Sequence, residues 1–228
     1  RLEADVLSWL AAEFGYGPAA RGLLTSGGSM ANFNAVVTAR AAKLSEETDL
    51  RTVTVYTSSQ VHHSVERSVT LAGIPRSGVR TVPVDADMRM DPVALTAMVR
   101  EDRAKGRLPF LVLASAGTTN TGAIDPLGEL SDVCSTHDLW LHVDGAYGGA
   151  FVLSHEGKRR LAGIERADSI VFDPHKGMFL PYGTGCLLVR EGRHLREAHR
   201  ESAEYLEDFK HGDDQRIPSP TEYGPELS

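Results

Sequence analysis

The sequence predicts an α/β domain in which helices cover both faces of a mostly parallel β-sheet. Short apolar, β-branched segments alternate with longer amphipathic segments, which is the pattern of repeated strand–helix–strand units. The pairs Asp91-Pro92 and Asp125-Pro126 each precede an amphipathic segment, and they favour helix starts because Asp can cap a helix and Pro suits its first turn. Polar residues follow four of the strand candidates, as is typical of ligand sites in such folds.

The individual elements follow from hydrophobic periodicity. Helices are predicted over residues 3–14, 30–44, 62–72 and 127–137, with a further helix starting at Asp91-Pro92. Strands are predicted over residues 52–57, 79–84, 110–114, 139–143, 169–172 and 184–189. Charge is dense over residues 190–214, which predicts a solvated helix followed by a loop.

Composition restricts the class of protein. The 228 residues are 41% hydrophobic and 24% charged, as in an ordinary globular protein, and the net charge of −7 argues against a nucleic-acid partner. No apolar stretch is as long as a membrane span, so no membrane partner is expected. No signal peptide is visible, and Cys134 and Cys186 are interpreted as reduced core residues, which predicts a cytoplasmic location. Both ends lack flanking elements, so we expect a longer polypeptide.

Four strand candidates are followed by polar or flexible residues. The segments are "SSQVHHSVER" after residues 52–57, "SAGTTNTGAIDP" after 110–114, "DGAYGG" after 139–143 and "DPHKG" after 169–172. Because the carboxyl ends of parallel strands meet at one edge of a sheet, we expect these segments to form a single site.

The segment "TSGGSMAN" has the composition of an anion-binding helix start. Gly28 and Ser29 precede a helix, whose free N–H groups and positive dipole end attract anions. The alternative is a glycine-rich turn with Ser29 as the N-cap. The segment is not a Walker loop, because no Gly-Lys-Ser/Thr follows. The glycines of "YGTGCLL" lead into a strand and are interpreted as a turn.

Three kinds of ionisable residue are candidates for chemistry. Lys176 lies between two apolar strands, although a turn lysine can also extend to water. Asp144 follows an apolar strand and needs a partner such as a protonated ring nitrogen; the alternatives are an N-cap or an ion pair with arginine. Either His62 or His63 could stack on an aromatic ligand or act as an acid or base; the alternative is an exposed histidine near a helix start.

Two interpretations of the histidines are set aside. His62 and His63 are adjacent in a predicted helix, so their side chains should point about 100° apart and not act together. A metal site from His62, His63, His142 and His175 lacks the spacing of known motifs, and no metal is predicted.

The candidates together match the needs of pyridoxal 5′-phosphate (PLP). Lys176 supplies the amine for a Schiff base with the cofactor. Asp144 supplies a carboxylate that keeps the pyridine nitrogen protonated, so that the ring can act as an electron sink. The helix start at Gly28 supplies a phosphate site.

The chain closely resembles the PLP-dependent group II amino-acid decarboxylases, a family that includes aromatic-amino-acid, glutamate, histidine and 2,4-diaminobutyrate decarboxylases. The resemblance runs from "EADVLSWL" to "AEYLED", and its most specific parts are "HVDGAYGG" and "DPHKG". It implies the large domain of the fold type I PLP enzymes, with a seven-stranded sheet. Residues 1–200 then form the PLP-binding domain, and residues 201–228 form the catalytic-loop region and the start of a connection to a small domain.

The resemblance assigns roles to the residues that hold the cofactor. Lys176 matches the Schiff-base lysine, and His175 matches a residue that reaches the phosphate. Asp144 matches the carboxylate on the pyridine nitrogen, and Ala146 packs near the ring. Gly28 and Ser29 match the phosphate loop.

Further roles concern the substrate side of the ring. His62 matches the histidine that stacks on the pyridine, and Thr119 matches a threonine near the cofactor and that histidine. Tyr205 falls where the family carries a loop tyrosine that reprotonates the intermediate in the neighbouring subunit's site. His63 falls where the family usually has a small residue, and Asp173 where some members have Asn, which places a negative charge near the phosphate.

The resemblance implies an activity and an assembly. The expected reaction is decarboxylation of an L-amino acid to an amine and CO2, in a homodimer with active sites at the subunit interface. Alternatives are another carbon–carbon lyase, a desulfurase, an aminotransferase, oxidation of the amine to an aldehyde, or a non-catalytic module with the same fold. The identity of the amino acid cannot be inferred from these residues.

Overall fold

The computed structural model describes residues 2–199, in which seven strands form one sheet. The strands are β1 (Arg21–Thr25), β2 (Val53–Ser58), β3 (Val79–Val82), β4 (Leu108–Ser115), β5 (Trp140–Asp144), β6 (Ser169–Phe172) and β7 (Gly185–Val189). Their order across the sheet is β1-β7-β6-β5-β4-β2-β3. Strand β7 is antiparallel to both of its neighbours, whereas β2 to β6 are mutually parallel, so the predicted mostly parallel sheet is confirmed.

Eight α-helices accompany the sheet within the described residues. They are α1 (Leu2–Glu13), α2 (Gly28–Lys43), α3 (His63–Leu71), α4 (Pro92–Ala104), α5 (Leu127–Thr136), α6 (His155–Arg160), α7 (Pro174–Gly177) and α8 (Gly192–His199). Asp91 caps α4 as predicted, because its Oδ1 accepts from the backbone N–H groups of Val93 and Ala94. Asp125 instead accepts from Met90 N and Ser115 N, and so ties the end of β4 to a neighbouring loop.

The core lies on both faces of the sheet, as the alternation of strands and helices predicted. One apolar cluster includes Leu95 of α4 and Leu130 of α5, and the other includes Ala35 of α2 and Val69 of α3. All six residues of β2 are buried, as expected for a strand that is covered on both faces. Cys134 and Cys186 are free and buried.

The elements differ from the sequence prediction at several places, including β1, β3 and α2. Strand β1 was not predicted; it is short and only alternate residues are buried, so its apolar signal is weak. Strand β3 ends at Val82, where Pro83 removes a backbone donor, and Val84 forms only an isolated bridge with Met90. Helix α2 begins at Gly28, so the interpretation of Ser29 as N-cap is wrong, and Gly27 occupies that position.

Candidate active site

A cleft of about 430 Å³ opens at the carboxyl ends of the parallel strands. The residues that follow β2, β4, β5 and β6 all contribute to its lining, which is the convergence that the four polar segments predicted. The β1–α2 turn closes another side of the cleft. The lining residues are Ser26, Gly27, Gly28, Ser29, Met30, Asn32, His62, Ser64, Ser115, Gly117, Thr118, Thr119, Asp144, Ala146, Tyr147, Asp173, His175, Lys176 and Tyr182.

The structure brings together eight of the nine residues singled out from the sequence. The eight that line this one cleft are Gly28, Ser29, His62, Thr119, Asp144, Ala146, His175 and Lys176. The ninth, Tyr205, lies outside the described residues. The residues come from segments far apart in the chain, so only the fold places them together.

The start of α2 is shaped by two glycines. Gly27 has φ of 150°, a backbone conformation that favours glycine, and it precedes the first helical residue. A Cβ at Gly28 would lie 2.7 Å from Asp173 Oδ2, so a side chain cannot be added there without moving that carboxylate. The backbone of α2 therefore approaches the β6–α7 turn closely, with its first N–H groups at the cleft.

Lys176 lies on the one-turn helix α7 and is paired with a buried carboxylate. Its Nζ is 2.8 Å from Asp173 Oδ2. The Lys176 side chain is 42% exposed and that of Asp173 only 2%, so the amine can reach the cleft while the carboxylate cannot reach bulk water. Asp173 Oδ1 has no hydrogen-bond partner in the described part of the chain. Lys176 therefore lies over a fixed negative charge instead of extending freely to solvent.

His175 is held in one orientation beside the same carboxylate. Its Nδ1 donates to the carbonyl oxygen of Thr184 at 2.6 Å, because a carbonyl can only accept. Its Nε2 lies 3.9 Å from Asp173 Oδ2, and its ring contacts Tyr182 edge-on at 5.0 Å between centroids. The imidazole is thus fixed by the residues that lead into β7.

Asp144 ends β5 and presents its carboxylate to the cleft. Oδ1 accepts from Ala146 N at 3.0 Å, and Oδ2 accepts from Asn32 Nδ2 at 3.2 Å. Both of these partners are uncharged amides. A carboxylate has about four lone-pair positions, so these two bonds leave Asp144 able to accept from a donor in the cleft.

His62 is the N-cap of α3 and not a residue of its first turn. Its Nδ1 accepts from Ser64 N at 3.3 Å and lies 2.8 Å from Ser64 Oγ. Because His62 precedes the helix, the 100° rule does not apply, and the expectation that the two histidines point apart is wrong: the His62 and His63 ring centroids are 4.1 Å apart. Partial burial, followed by repulsion from His63, lowers the pKa of His62 and favours its neutral form.

Sequence reasoning missed several cleft residues. Asn32 lies one turn beyond Gly28 on α2, so helical spacing could have placed it beside the glycines. Ser64 forms a hydrogen bond with His62, and Thr118 forms one with Thr121, both in polar segments already identified after strands. Tyr182 reaches the cleft from the segment between α7 and β7, and no periodicity in the sequence indicates this.

Residues 2–199 contain neither a cluster of metal ligands nor a helix suited to cross a membrane. No group of three or more His, Cys, Asp and Glu side chains in that range is arranged to hold a metal ion. In the same range, no helix combines the length and the apolar character needed to cross a bilayer.

Comparison with known proteins identifies the family. The model of the pyridoxal-dependent decarboxylase conserved domain matches residues 1–217. The chain belongs to the pyridoxal-dependent decarboxylases. This agrees with the resemblance carried by "HVDGAYGG" and "DPHKG".

Individual relatives of this pyridoxal-dependent decarboxylase chain cover most of its length. The aromatic-L-amino-acid decarboxylase of Bacillus atrophaeus is 43% identical over 208 residues, which are 91% of the chain and 43% of the relative. The human cysteine sulfinic acid decarboxylase is 36% identical over 211 residues, 90% of the chain and 43% of the relative. The chain therefore spans less than half the length of these relatives.

A solved structure shows the same fold. The crystal structure of Oryza sativa TDC with PLP and tryptamine superimposes with a TM-score of 0.89 at 30% identity, over 97% of this chain and 48% of that one. The family depends on a pyridoxal cofactor, and the likeness confirms the predicted type I fold of the cofactor-binding domain.

Proposed function

We propose that the protein catalyses PLP-dependent decarboxylation of an L-amino acid, with residues 1–200 as its cofactor-binding domain. One observation carries this proposal: Lys176, Asp144 and the glycine-rich start of α2 line the same cleft. These supply an amine, a carboxylate and an anion site, which are the three groups that PLP requires. Residues 201–228 would form the catalytic-loop region and the start of the connection to a small domain.

The residues of the cleft fit the phosphate of the cofactor. Helix α2 has 16 residues and presents the N–H groups of its first turn, together with Ser29, at the cleft. The absence of a side chain at Gly27, where an added Cβ would meet only His175 Cε1 at 4.0 Å, leaves the backbone accessible to an anion. His175 would contribute a further polar contact. Asp173 also lies beside the start of α2, and its negative charge would repel a phosphate.

The residues also fit the ring of the cofactor. Asp144 would accept from the protonated pyridine nitrogen and stabilise its positive charge, since two hydrogen bonds leave part of the acceptor capacity of its carboxylate available. The neutral His62 ring is suited to stack on the pyridine, with Ala146 and Thr119 completing the enclosure. When bound, PLP supplies a conjugated ring that accepts the electron pair left as the substrate Cα–carboxylate bond breaks.

The remaining task of the protein is to move protons. Lys176 Nζ would bind the cofactor covalently and would be displaced by the amino group of the substrate. Loss of CO2 removes the carboxylate from Cα, and an acid must then donate a proton to Cα to complete the amine product. We assign this role to Tyr205, whose phenol would act from a neighbouring subunit.

A homodimer is part of this proposal. Aromatic side chains are exposed on and beside the segment that borders the cleft: Phe179 is 92% and Tyr182 93% exposed, and Tyr147 and Phe151 are about half exposed. Phe179 also has φ of 57°, a strained conformation for a bulky residue. Exposed aromatics of this kind are typical of an interface, and a second subunit would bury them.

The test is absorption spectroscopy of the PLP-loaded protein combined with an assay of CO2 release from a panel of L-amino acids. We expect an absorption band that is absent in Lys176→Ala, with CO2 released from at least one amino acid. Lys105→Ala is the matched control, because Lys105 forms a surface ion pair with Glu101 and should leave both readouts unchanged. A band without CO2 release would contradict decarboxylation, and the absence of a band would contradict the cofactor assignment.

A further inference from the structure

A chain of hydrogen bonds runs through the protein interior and ends at Asp144. Trp140 Nε1 donates to Ser169 Oγ at 2.9 Å, and Ser169 Oγ lies 2.8 Å from His142 Nδ1. His142 Nε2 lies 2.9 Å from Asn32 Oδ1, and Asn32 Nδ2 donates to Asp144 Oδ2 at 3.2 Å. The chain links β6, β5 and α2, and we call its members Trp140, Ser169, His142 and Asn32 the relay.

The two ends of the chain and the neutral form of His142 together determine the direction of every bond in it. The indole N–H of Trp140 can only donate, and the ionised carboxylate of Asp144 can only accept. Asn32 therefore donates its amide N–H to Asp144, and its Oδ1 accepts from His142 Nε2. A neutral His142 then carries no proton on Nδ1, so Ser169, which accepts from Trp140, donates its own proton to that nitrogen.

The surroundings of His142 support this neutral form. Asn32, Trp140, His142 and Ser169 are each at most 2% exposed. Burial lowers the pKa of His142 to about 4, against a smaller opposing effect of Asp144. The other groups facing the ring are uncharged: the Asn32 amide, and the hydroxyl and backbone of Ser169, of which the backbone raises the pKa of His142 by a smaller amount. Because burial is the largest effect, the neutral imidazole is the stable form at neutral pH.

We propose that the relay positions Asp144 by fixing which end of the Asn32 amide faces its carboxylate. The oxygen and nitrogen ends of an amide have nearly the same shape, so packing alone does not distinguish them. Asp144 repels the oxygen end of the Asn32 amide, and a donor on the far side of Asn32 holds that oxygen away from the carboxylate; His142 Nε2 is that donor. A flipped amide would place an oxygen against the carboxylate and repel it.

The relay would act on a bound cofactor only through Asp144. With Oδ1 bound to Ala146 N and Oδ2 to Asn32, the carboxylate is held at two points and cannot rotate away from the cleft. This inference rests on the proposed function, because the pyridine nitrogen is the group that Asp144 would meet. Asn32, His142 and Ser169 are positioning residues and are not expected to touch the reacting atoms.

The first experiment measures the tautomer of His142 by ¹⁵N NMR of the cofactor-free protein, with His142→Gln used to assign its signals. We expect a neutral ring that carries its proton on Nε2 throughout pH 6 to 8. A charged ring, or one protonated on Nδ1, would overturn the relay without bearing on the proposed function.

The second experiment compares the binding of PLP with that of its 1-deaza analogue, in which carbon replaces the ring nitrogen. Asn32→Leu should weaken PLP binding roughly 10- to 100-fold, the effect of losing a hydrogen bond to a charged group, and should leave binding of the analogue nearly unchanged. Ser169→Ala should give a smaller change in the same direction. A simple packing defect would weaken both compounds equally, and that result would refute the positioning role.

The control is Asn34→Leu, a buried asparagine on the same helix that donates to the Met30 carbonyl and takes no part in the relay. It should leave the ratio of the two affinities unchanged. If the unsubstituted protein bound neither compound, the proposed function would fail, and the relay would lose its role at the cofactor even if the NMR result were as expected.

Discussion

Asp173 Oδ2 and Lys176 Nζ are 2.8 Å apart. The Asp173 carboxylate is almost completely buried and lies beneath the start of α2. The same carboxylate that orders the amine therefore lies next to the proposed phosphate site. A negative charge at that position opposes the binding of a second anion.

Asp173→Asn should tighten binding of pyridoxine 5′-phosphate about tenfold, because it removes a buried charge near the phosphate. This ligand lacks the aldehyde, so it reports on the phosphate site without reaction at Lys176. Fluorescence titration would measure the affinity. Asp132→Asn is the control, since Asp132 forms a surface ion pair with Arg166. Unchanged or weaker binding in Asp173→Asn would contradict the prediction.

Gly28→Ala should weaken PLP binding at least about tenfold and destabilise the fold by about 1–3 kcal/mol, because the new Cβ would lie 2.7 Å from Asp173 Oδ2. Absorbance titration and urea unfolding measure the two effects. Gly128→Ala is a matched control on α5, where an added Cβ meets nothing within 4 Å. It should leave binding unchanged and stabilise the helix slightly. Equal effects of the two substitutions would refute the close approach at Gly28.

His142 should make the protein less stable as the pH falls below neutral. Its pKa is 6.5 in an unfolded chain and about 4 when folded, so between these values the unfolded state binds the additional proton. The contribution of the neutral His142 to the free energy of unfolding is therefore fully present above pH 6.5. It declines towards pH 4, by roughly 3 kcal/mol in total. Urea unfolding at pH 7 and pH 5 should show a smaller difference for His142→Gln than for the unsubstituted protein. An identical difference in the two proteins would show that His142 is not the buried neutral group inferred above.

His63→Ser should raise the pKa of His62. Partial burial is the larger cause of the lowered pKa of His62 and would remain, but the repulsion from the neighbouring ring would be lost. The pKa of His62 can be followed by NMR titration of its ring. His137→Ser, distant from the pair, should leave that pKa unchanged. A pKa of His62 that does not rise in His63→Ser would mean that the ring contact has no electrostatic effect.

Phe179→Asp should weaken the proposed homodimer at least about tenfold, since it places a charge in an exposed aromatic patch that a second subunit would bury. Sedimentation equilibrium measures the dissociation constant. Val93→Asp is the control, because Val93 is 78% exposed on α4 and lies outside this patch. A dimer that tolerates Phe179→Asp would place the interface elsewhere, and a protein that is monomeric without any substitution would contradict the dimer itself.

The sequence alone was sufficient for much of the fold. Strands such as β2 and β4 are continuous apolar runs, and α4 carries its own Asp-Pro start, so local periodicity and capping identified them. Strand β1 was not predicted, because it is defined by its long-range pairing with β7 and its own residues show only a weak hydrophobic pattern. Local patterns report local structure, and edge strands depend on their partner.

The chemical content of the site was also readable in the sequence. Lys176, Asp144 and His62 follow strands, and parallel strands bring their carboxyl ends to one edge, so their convergence followed from topology. The contact between His62 and His63 did not follow, because it depends on His62 lying just outside α3, and helix boundaries are uncertain by a residue or two.

Only the tertiary structure decided which groups touch. The relay joins Asn32 to His142 and Ser169, which lie more than one hundred positions later in the chain. The close approach of Gly28 and Asp173 likewise joins residues that are far apart in the sequence. Hydrogen bonds and close approaches depend on distances of a few ångströms between side chains on different elements. Sequence determined which chemical groups the protein possesses and at which edge of the sheet they meet, whereas packing of α2 against β5 and β6 determined their partners, their protonation and their orientation.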